Sequence, residues 1–222
     1  VGNLMSVSNA MQYLGFETKI TSDATELELA DSILLPGVGA FPDAADKLRG
    51  PGLDQVLIAE SKKKPILGIC LGMQLVLVEF ARDVLGLSDA NSIEFDPNTM
   101  HPIIHLMPEQ EDINDLGGTL RKGSYPCVLT KGTKTYEAYG EETVHERHRH
   151  RYEVNNDYRE ELKANGCVLS GLSPDGRIVE MVELKDHPWF VATQAHPELK
   201  SRPNRPHPLF KGFIKAAIEA KN

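Results

Sequence analysis

A cysteine set between two glycines, Gly68-Ile69-Cys70-Leu71-Gly72, is the first place in this sequence where chemistry could be done. Residues Pro65 to Cys70 read as a strand and Met73 to Phe80 as a helix. A strand that turns sharply into a helix needs small neighbours and leaves the side chain at the turn standing above the sheet, as in the G-x-S-x-G elbow. The helix starting near Leu71 points its positive end at the sulfur, which favours a thiolate. Read alone, the pentapeptide fits an inert, buried core thiol equally well. A second group changes the balance. Gln194-Ala195-His196-Pro197-Glu198 follows the apolar run Trp189 to Thr193, and residues two apart on an extended chain face the same way. His196 can then take a thiol proton and return it to a leaving amine, while Glu198 fixes the tautomer and steadies the imidazolium. A lone His-Pro-Glu is better explained as a surface turn. With an elbow cysteine earlier in the chain, a Cys70–His196–Glu198 triad is the more economical account.

The elements that must position these residues are legible from periodicity. Apolar residues at helical spacing (Leu4, Val7, Met11, Leu14) predict a first helix that stops at Gly15. Phe16 to Thr21 reads as a short strand and Asp23 to Ala30 as a polar helical turn. Ser32 to Leu35 is a buried strand ended by Pro36-Gly37-Val38-Gly39, with helices expected near Asp43 to Leu48 and from Leu53 to Lys63. The stretch from Asp83 to Gly123 is rich in Pro, Asn, Asp and Gly and predicts loops and short strands. Further strands are expected at Cys127–Leu129, Val168–Ser170, Ile178–Leu184 and Trp189–Thr193, and a closing amphipathic helix at Phe210–Ala220. Alternating strands and helices predict an α/β fold, an open and mostly parallel sheet flanked by helices. No strand pattern precedes the first helix, so an earlier strand is expected to belong to a longer chain. No internal repeat or linker divides residues 1–222, which read as one domain.

Gly-Ile-Cys-Leu-Gly-Met-Gln (68–74) together with His-Pro-Glu (196–198) resembles the class I glutamine amidotransferases, over essentially the whole chain. The resemblance implies hydrolysis of the glutamine side-chain amide through a glutamyl thioester, with ammonia passed to a separate acceptor site and no cofactor. From about Leu75 onward the chain resembles the glutaminase domain of CTP synthase, through Glu79-Phe80-Ala81-Arg82, Asn91 to Phe95, Asp115 to Arg121, Glu146 to Glu153, and Lys200-Ser201-Arg202-Pro203 with His207 to Phe210. Before that, Asn3 to Val7, Ile20 to Asp23 and Leu35 to Phe41 resemble the glutaminase subunit of imidazole glycerol phosphate synthase. One expectation is a mosaic, engineered or recombined, with a junction near 68–75. The other is a single lineage that resembles both. The implied partner is accordingly an amidoligase of CTP synthase type or a (β/α)8 cyclase.

Carried over residue by residue, the resemblance makes Gly37, Val38 and Gly39 an oxyanion strand whose N–H groups act with that of Leu71. CTP synthase would usually have a glycine at the position of Val38. Val38 matches the other family, in which this strand flips before it is competent, so weak activity without a partner is expected. Gln74 and Glu94 match glutamine-binding positions, Glu94 suiting the α-ammonium, and Arg151 suits the substrate carboxylate. Gln74 as a polar helix-face residue and Glu94 as an ordinary loop carboxylate are the plainer alternatives.

Composition excludes several other classes. The chain has 24 Lys+Arg against 32 Asp+Glu, a net charge of −8, which argues against a bulk nucleic-acid binder. The one basic run, Arg147-His148-Arg149-His150-Arg151, lacks interleaved stacking aromatics, and as a strand it would put its arginines on one face and its histidines on the other. No soft third ligand accompanies His148 and His150, so no metal site is assigned. No apolar run approaches the ~18 residues that span a bilayer, and Cys70, Cys127 and Cys167 form no disulfide or zinc pattern, which fits a reducing cytoplasm. No G-x-x-x-x-G-K-[ST] loop is present, so this chain alone could hydrolyse glutamine but not make CTP. Two rivals share the fold. One is a docking module without turnover; the other is a peptidase or γ-glutamyl hydrolase, against which Gln74, Glu94 and Arg151 argue because they suit free glutamine.

Overall fold

The computed structural model describes residues 4–37, 48, 52–106, 120–202 and 204–221. The helix expected near 43–48, residues Val38 and Gly39 of the expected oxyanion strand, and the 115–119 part of one quoted stretch lie outside them, apart from Leu48. The described elements are α1 (Leu4–Tyr13), α2 (Ala24–Leu29), β1 (Ile33–Leu35), α3 (Leu53–Glu60), β2 (Ile66–Ile69) and α4 (Leu71–Asp83), then β3 (Asn91–Ser92), β4 (Pro102–His105) and β5 (Arg121–Leu129). They continue with α5 (Lys134–Tyr139), β6 (Thr143–His150), β7 (Glu153–Val154), α6 (Arg159–Ala164), β8 (Cys167–Leu172), β9 (Val179–Leu184), β10 (Phe190–Thr193) and α7 (Pro208–Lys221).

Seven strands form one sheet in the order β1-β2-β10-β9-β8-β5-β6. The expected α/β sheet flanked by helices is present, and it is mixed. β2 lies parallel between β1 and β10, and the pairings from β10 through β9, β8 and β5 to β6 are antiparallel. The parallel part is the part that carries the cysteine. Its β2 and β10 are buried on both faces, so they read as unbroken apolar runs and not as alternating ones. Successive side chains still point to opposite faces. Ile66, Phe190 and Ala192 join one core with Leu71, Leu75 and Val78 of α4, while Leu67, Ile69 and Val191 join a second with Phe210 and Phe213 of α7 and Val7 and Met11 of α1. The apolar stripe of α7 (Leu209, Phe210, Phe213, Ile214, Ala217) has the i, i+3, i+4 spacing that seats a helix on a sheet.

Two local expectations differ from what is observed. Phe16 to Thr21 forms no strand: Thr18 Oγ1 instead meets Ser8 Oγ at 2.8 Å, and Phe16 packs against the α1–α7 core. A β-prone run remains irregular when no neighbouring strand supplies ladder hydrogen bonds. β5 begins at Arg121, well before the expected Cys127, because β6 pairs with it along its length, from Arg121↔His150 to Val128↔Thr143. The alternation expected in the basic run is observed, with Arg147 and Arg149 exposed and His148 and His150 buried.

A small second sheet, β3-β4-β7, sits beyond the end of α4. Its antiparallel pairs Ile104↔Val154 and His105↔Glu153 bring the 151–153 segment beside the loop that follows β3. No helix among the described residues is long and apolar enough to cross a membrane.

Candidate active site

The elbow between β2 and α4 is built by close approach. Cys70 has φ 53° and ψ −110°, and among the described residues it alone combines a side chain with positive φ. A backbone held there costs on the order of 1–3 kcal/mol, which the surroundings must offset. Cys70 N–H donates to the Thr193 carbonyl at 2.7 Å, and the Cys70 carbonyl accepts from Met73 N–H at 2.9 Å. Three glycines leave room for the turn. A Cβ on Gly68 would lie 2.9 Å from the Ala192 Cβ, one on Gly72 would lie 2.2 Å from the Leu35 carbonyl oxygen, and one on Gly37 would lie 2.1 Å from the Leu71 nitrogen. The chain leaving β1 therefore presses against the first amide of α4, and Gly37 and Leu71 are brought together as the sequence predicts. Val38 and Gly39 lie outside the described residues.

His196 follows β10, the neighbour of β2, and its N–H donates to the Arg147 carbonyl at 2.8 Å. Its Nδ1 meets Glu198 Oε1 at 2.7 Å. The expected pairing is present, but on a different backbone. Pro197–Leu199 is a 3-10 turn and not an extended run, with Pro197 at its first position, where a missing N–H costs nothing. Burial by itself would lower the imidazole pKa. Hydrogen bonding and charge from Cys70 and Glu198 outweigh it and raise the pKa to about 10. The sulfur thus acts on the ring, yet Nε2 is buried without a well-formed hydrogen bond. Such looseness is common in a site without substrate.

The glutamine-side residues form the other half. Gln74, on α4 one turn beyond Cys70, is buried, and its Nε2 donates to the Tyr152 carbonyl at 3.2 Å and to Gln194 Oε1 at 3.1 Å. Tyr152 joins Glu94 to Arg151. Burial and the charge of Glu94 raise its hydroxyl pKa, and Arg151 opposes them by charge and hydrogen bond. So Glu94, after β3, and Arg151, after β6, share one locale with Gln74.

Sequence reasoning missed Gln194 and Tyr152. Gln194 is fully buried and donates from Nε2 to Cys70 Sγ at 3.7 Å, while accepting from Gln74. Its position two residues before His196 was the available signal. Only the fold shows its side chain turning back towards the sulfur. A recess of about 520 Å³ beside His196 is lined by Ser124, Arg147, Leu199, Lys200, Arg202 and Arg205. A larger cavity of about 760 Å³, lined by apolar residues including Ile33, Leu57, Ile66, Phe80 and Phe190, does not include Cys70. The chemistry of the residues, and not cavity size, locates the site.

Comparisons with known proteins agree with this constellation. The family model described as Glutamine amidotransferase class-I matches residues 2–216. A protein named CTP synthase from Caldanaerobacter subterraneus subsp. tengcongensis is 58% identical over 195 residues, covering 88% of this chain and 35% of that protein. Another named CTP synthase, from Bacillus subtilis, is 50% identical over 236 residues, covering 98% of this chain and 42% of that protein. The chain therefore spans well under half the length of these curated relatives. Among solved structures, the glutaminase domain of Trypanosoma brucei CTPS with bound acivicin superposes with a TM-score of 0.84 at 30% identity, covering 97% of this chain and 88% of that one.

Proposed function

Because the chain belongs to the class I glutamine amidotransferase family, we propose that it hydrolyses the side-chain amide of glutamine to glutamate and ammonia, with Cys70 as nucleophile, His196 as base and acid, and Glu198 as its orienter. The observation that carries this is the Nδ1–Glu198 hydrogen bond of 2.7 Å on a histidine that follows β10, the strand paired with β2 and its strained Cys70 elbow. Cys70 Sγ attacks the amide carbon, and the developing oxyanion is met by the Leu71 N–H and the Gly37-Val38-Gly39 strand. His196 gives a proton to the departing nitrogen, ammonia leaves, and a thioester remains. Water then adds to the thioester, His196 takes its proton, and the C–S bond breaks to release glutamate. Gln74, Glu94 and Arg151 hold the amino-acid end, Glu94 and Arg151 being complementary to its ammonium and carboxylate.

The ammonia acceptor in this proposal is an amidoligase of CTP synthase type, in the cytoplasm. The likeness to CTP synthases over 88% and 98% of the chain supports it. A cyclase partner is the second reading, favoured by one feature, the Leu35-Pro36-Gly37-Val38-Gly39 stretch with valine in the oxyanion strand. Glutaminase assays on the chain alone and with each synthase separate the two, since only the true partner stimulates turnover. Cys70→Ala should abolish glutamate and ammonia formation. Unchanged release would end the proposal and leave a docking module.

A further inference from the structure

Beneath the site, β6 turns three ionisable side chains, Glu146, His148 and His150, into the protein interior. Two of them belong to a line of close contacts that the triad does not use. Glu153 Oε1 lies 3.4 Å from His150 Nδ1, His150 Nε2 lies 2.9 Å from His148 Nδ1, and His148 Nε2 lies 3.3 Å from Glu180 Oε2. All four residues are at least nine-tenths buried. Both oxygens of Glu153, Glu180 Oε2, His148 Nε2 and one terminal nitrogen of Arg121 are all buried without a hydrogen bond. Unpaired polar atoms in a dry interior cost about 1–3 kcal/mol each, so five in one place require an explanation.

Counting protons supplies one. Three contacts in a row need three protons between the atoms, and two neutral imidazoles carry two. One further proton completes the line and leaves it with a single negative charge, which Arg121 balances from β5. We infer that Glu153 is a carboxylic acid in the folded protein and donates to His150, which donates to His148, which donates to a carboxylate at Glu180.

The sense of the line is set by Arg121. Its NH2 group holds Glu180 Oε1 at 2.7 Å, whereas NH1 is 4.0 Å from Glu153 Oε1, so the Coulomb attraction is about one and a half times stronger at Glu180. The negative charge belongs at Glu180 and the proton at Glu153. The rival is a hydrogen bond from His150 Nδ1 to the Tyr152 carbonyl at 3.3 Å, which that oxygen can accept beside the one from Gln74, so the tautomer of His150 decides between the two. Burial raises both carboxyls: it pushes Glu153 well above its ordinary range, partly offset by Arg121, and raises Glu180 against a hydrogen bond and charge from the same arginine. Burial, then Arg121, brings His148 down to about 3 against the pull of Glu146, and burial with His148 and Arg121 holds His150 neutral, His196 acting in the same direction.

The line joins the two halves of the site. Glu153 directly follows Arg151 and Tyr152, and the Glu180 carbonyl accepts at 2.8 Å from the N–H of Gln194, the glutamine whose side chain touches Cys70 Sγ. Glu153 is thus a positioning residue. It fixes the glutamine-side segment relative to the nucleophile, and its consequence for glutamine binding rests on the proposed function.

Two measurements test it. Long-range ¹H–¹⁵N correlation on the whole chain should show His148 and His150 neutral between pH 6 and 8, each protonated on Nε2 and bare on Nδ1. An imidazolium, or Nδ1–H at either ring, overturns the inference whether or not the protein has glutaminase activity. Kinetics form the second arm. Glu153→Gln keeps a donor towards His150 and should leave KM for glutamine within about threefold, whereas Glu153→Leu, without one, should raise KM at least tenfold and change kcat by less than threefold. Glu153→Gln behaving like Glu153→Leu would mean that a charge is required, and overturns it too. Should Glu153→Leu fail to fold, the tautomers and the Glu153→Gln KM decide. Tautomers as stated in a protein that never hydrolyses glutamine would refute the proposed function alone.

Discussion

Replacing Gly37 with alanine places a methyl carbon 2.1 Å from the Leu71 nitrogen, 2.2 Å from the Ile69 carbonyl oxygen and 2.7 Å from the Leu71 Cα. All three are backbone atoms, so no side chain can swing away. Ordinary contact begins near 3.4 Å, and relief requires the strand leaving β1 to retreat by about 1 Å. The retreat moves the expected oxyanion donors off the position that the Leu71 N–H serves. A misplacement of about 1 Å costs about 10²-fold in rate, and loss of one such donor about 10²–10³-fold. The expected kcat for glutamine hydrolysis therefore falls about 10²-fold, near 2.7 kcal/mol of transition-state stabilisation. KM should change little, because Gln74, Glu94 and Arg151 are on other elements. Overpacking lowers stability by about 1–3 kcal/mol, so thermal unfolding accompanies the steady-state glutamate assay. Gly132→Ala is the control: Gly132 has φ +79° but open space around its Cβ position, so only backbone strain of about 1 kcal/mol is added and kcat is untouched. A folded Gly37→Ala protein with kcat within threefold of the parent would refute the placement of the oxyanion site.

Glu198→Gln should drop kcat by about 10²–10⁴-fold and bring the His196 pKa down from about 10, read by NMR titration; an unmoved pKa would show that Glu198 does not support the ring. Since the folded pKa lies above the unfolded value of about 6.5, the parent's stability advantage over that variant is full below pH 6.5 and fades as pH rises towards 10, which urea unfolding across that range would show. Iodoacetamide should modify Cys70 first in the native protein and abolish turnover. Burial pushes the Cys167 thiol up to about 12, and burial with the charges of Glu180 and Glu146 pushes Cys127 higher still, so peptide mapping that found either labelled as fast as Cys70 would contradict this. Glu146→Ala should destabilise the fold by about 3–5 kcal/mol, because His207, Lys200 and Tyr139 all lose the acceptor they share. Burial would raise the Glu146 carboxyl, but His207 and Lys200 outweigh it and hold it low, so this contribution is present above pH 4.5 and lost as pH falls through the folded pKa. A loss under about 1 kcal/mol in urea unfolding would count against the network.

Local pattern determined much of this protein by itself. The elbow, the His196–Glu198 pair, the strand at Ile66–Ile69, the helix after it and the closing helix are all readable because each depends on neighbours in sequence: glycine at a turn, period two, period 3.6. The two-faced β6 is also legible, since alternation alone puts His148 and His150 on one face, and the fold makes it the inner one. What those histidines meet is not. Glu153, Glu180 and Arg121 come from three other strands, and only pairing register and burial bring them together. Gln194 likewise gains its contact with Cys70 because β10 lies beside β2, and Phe16 to Thr21 stays irregular because no strand lies beside it among the described residues. Hydrogen-bond partners and desolvation are properties of the assembled interior. A one-dimensional pattern can say which side chains turn inward, but the charge each can hold there depends on neighbours that only folding supplies.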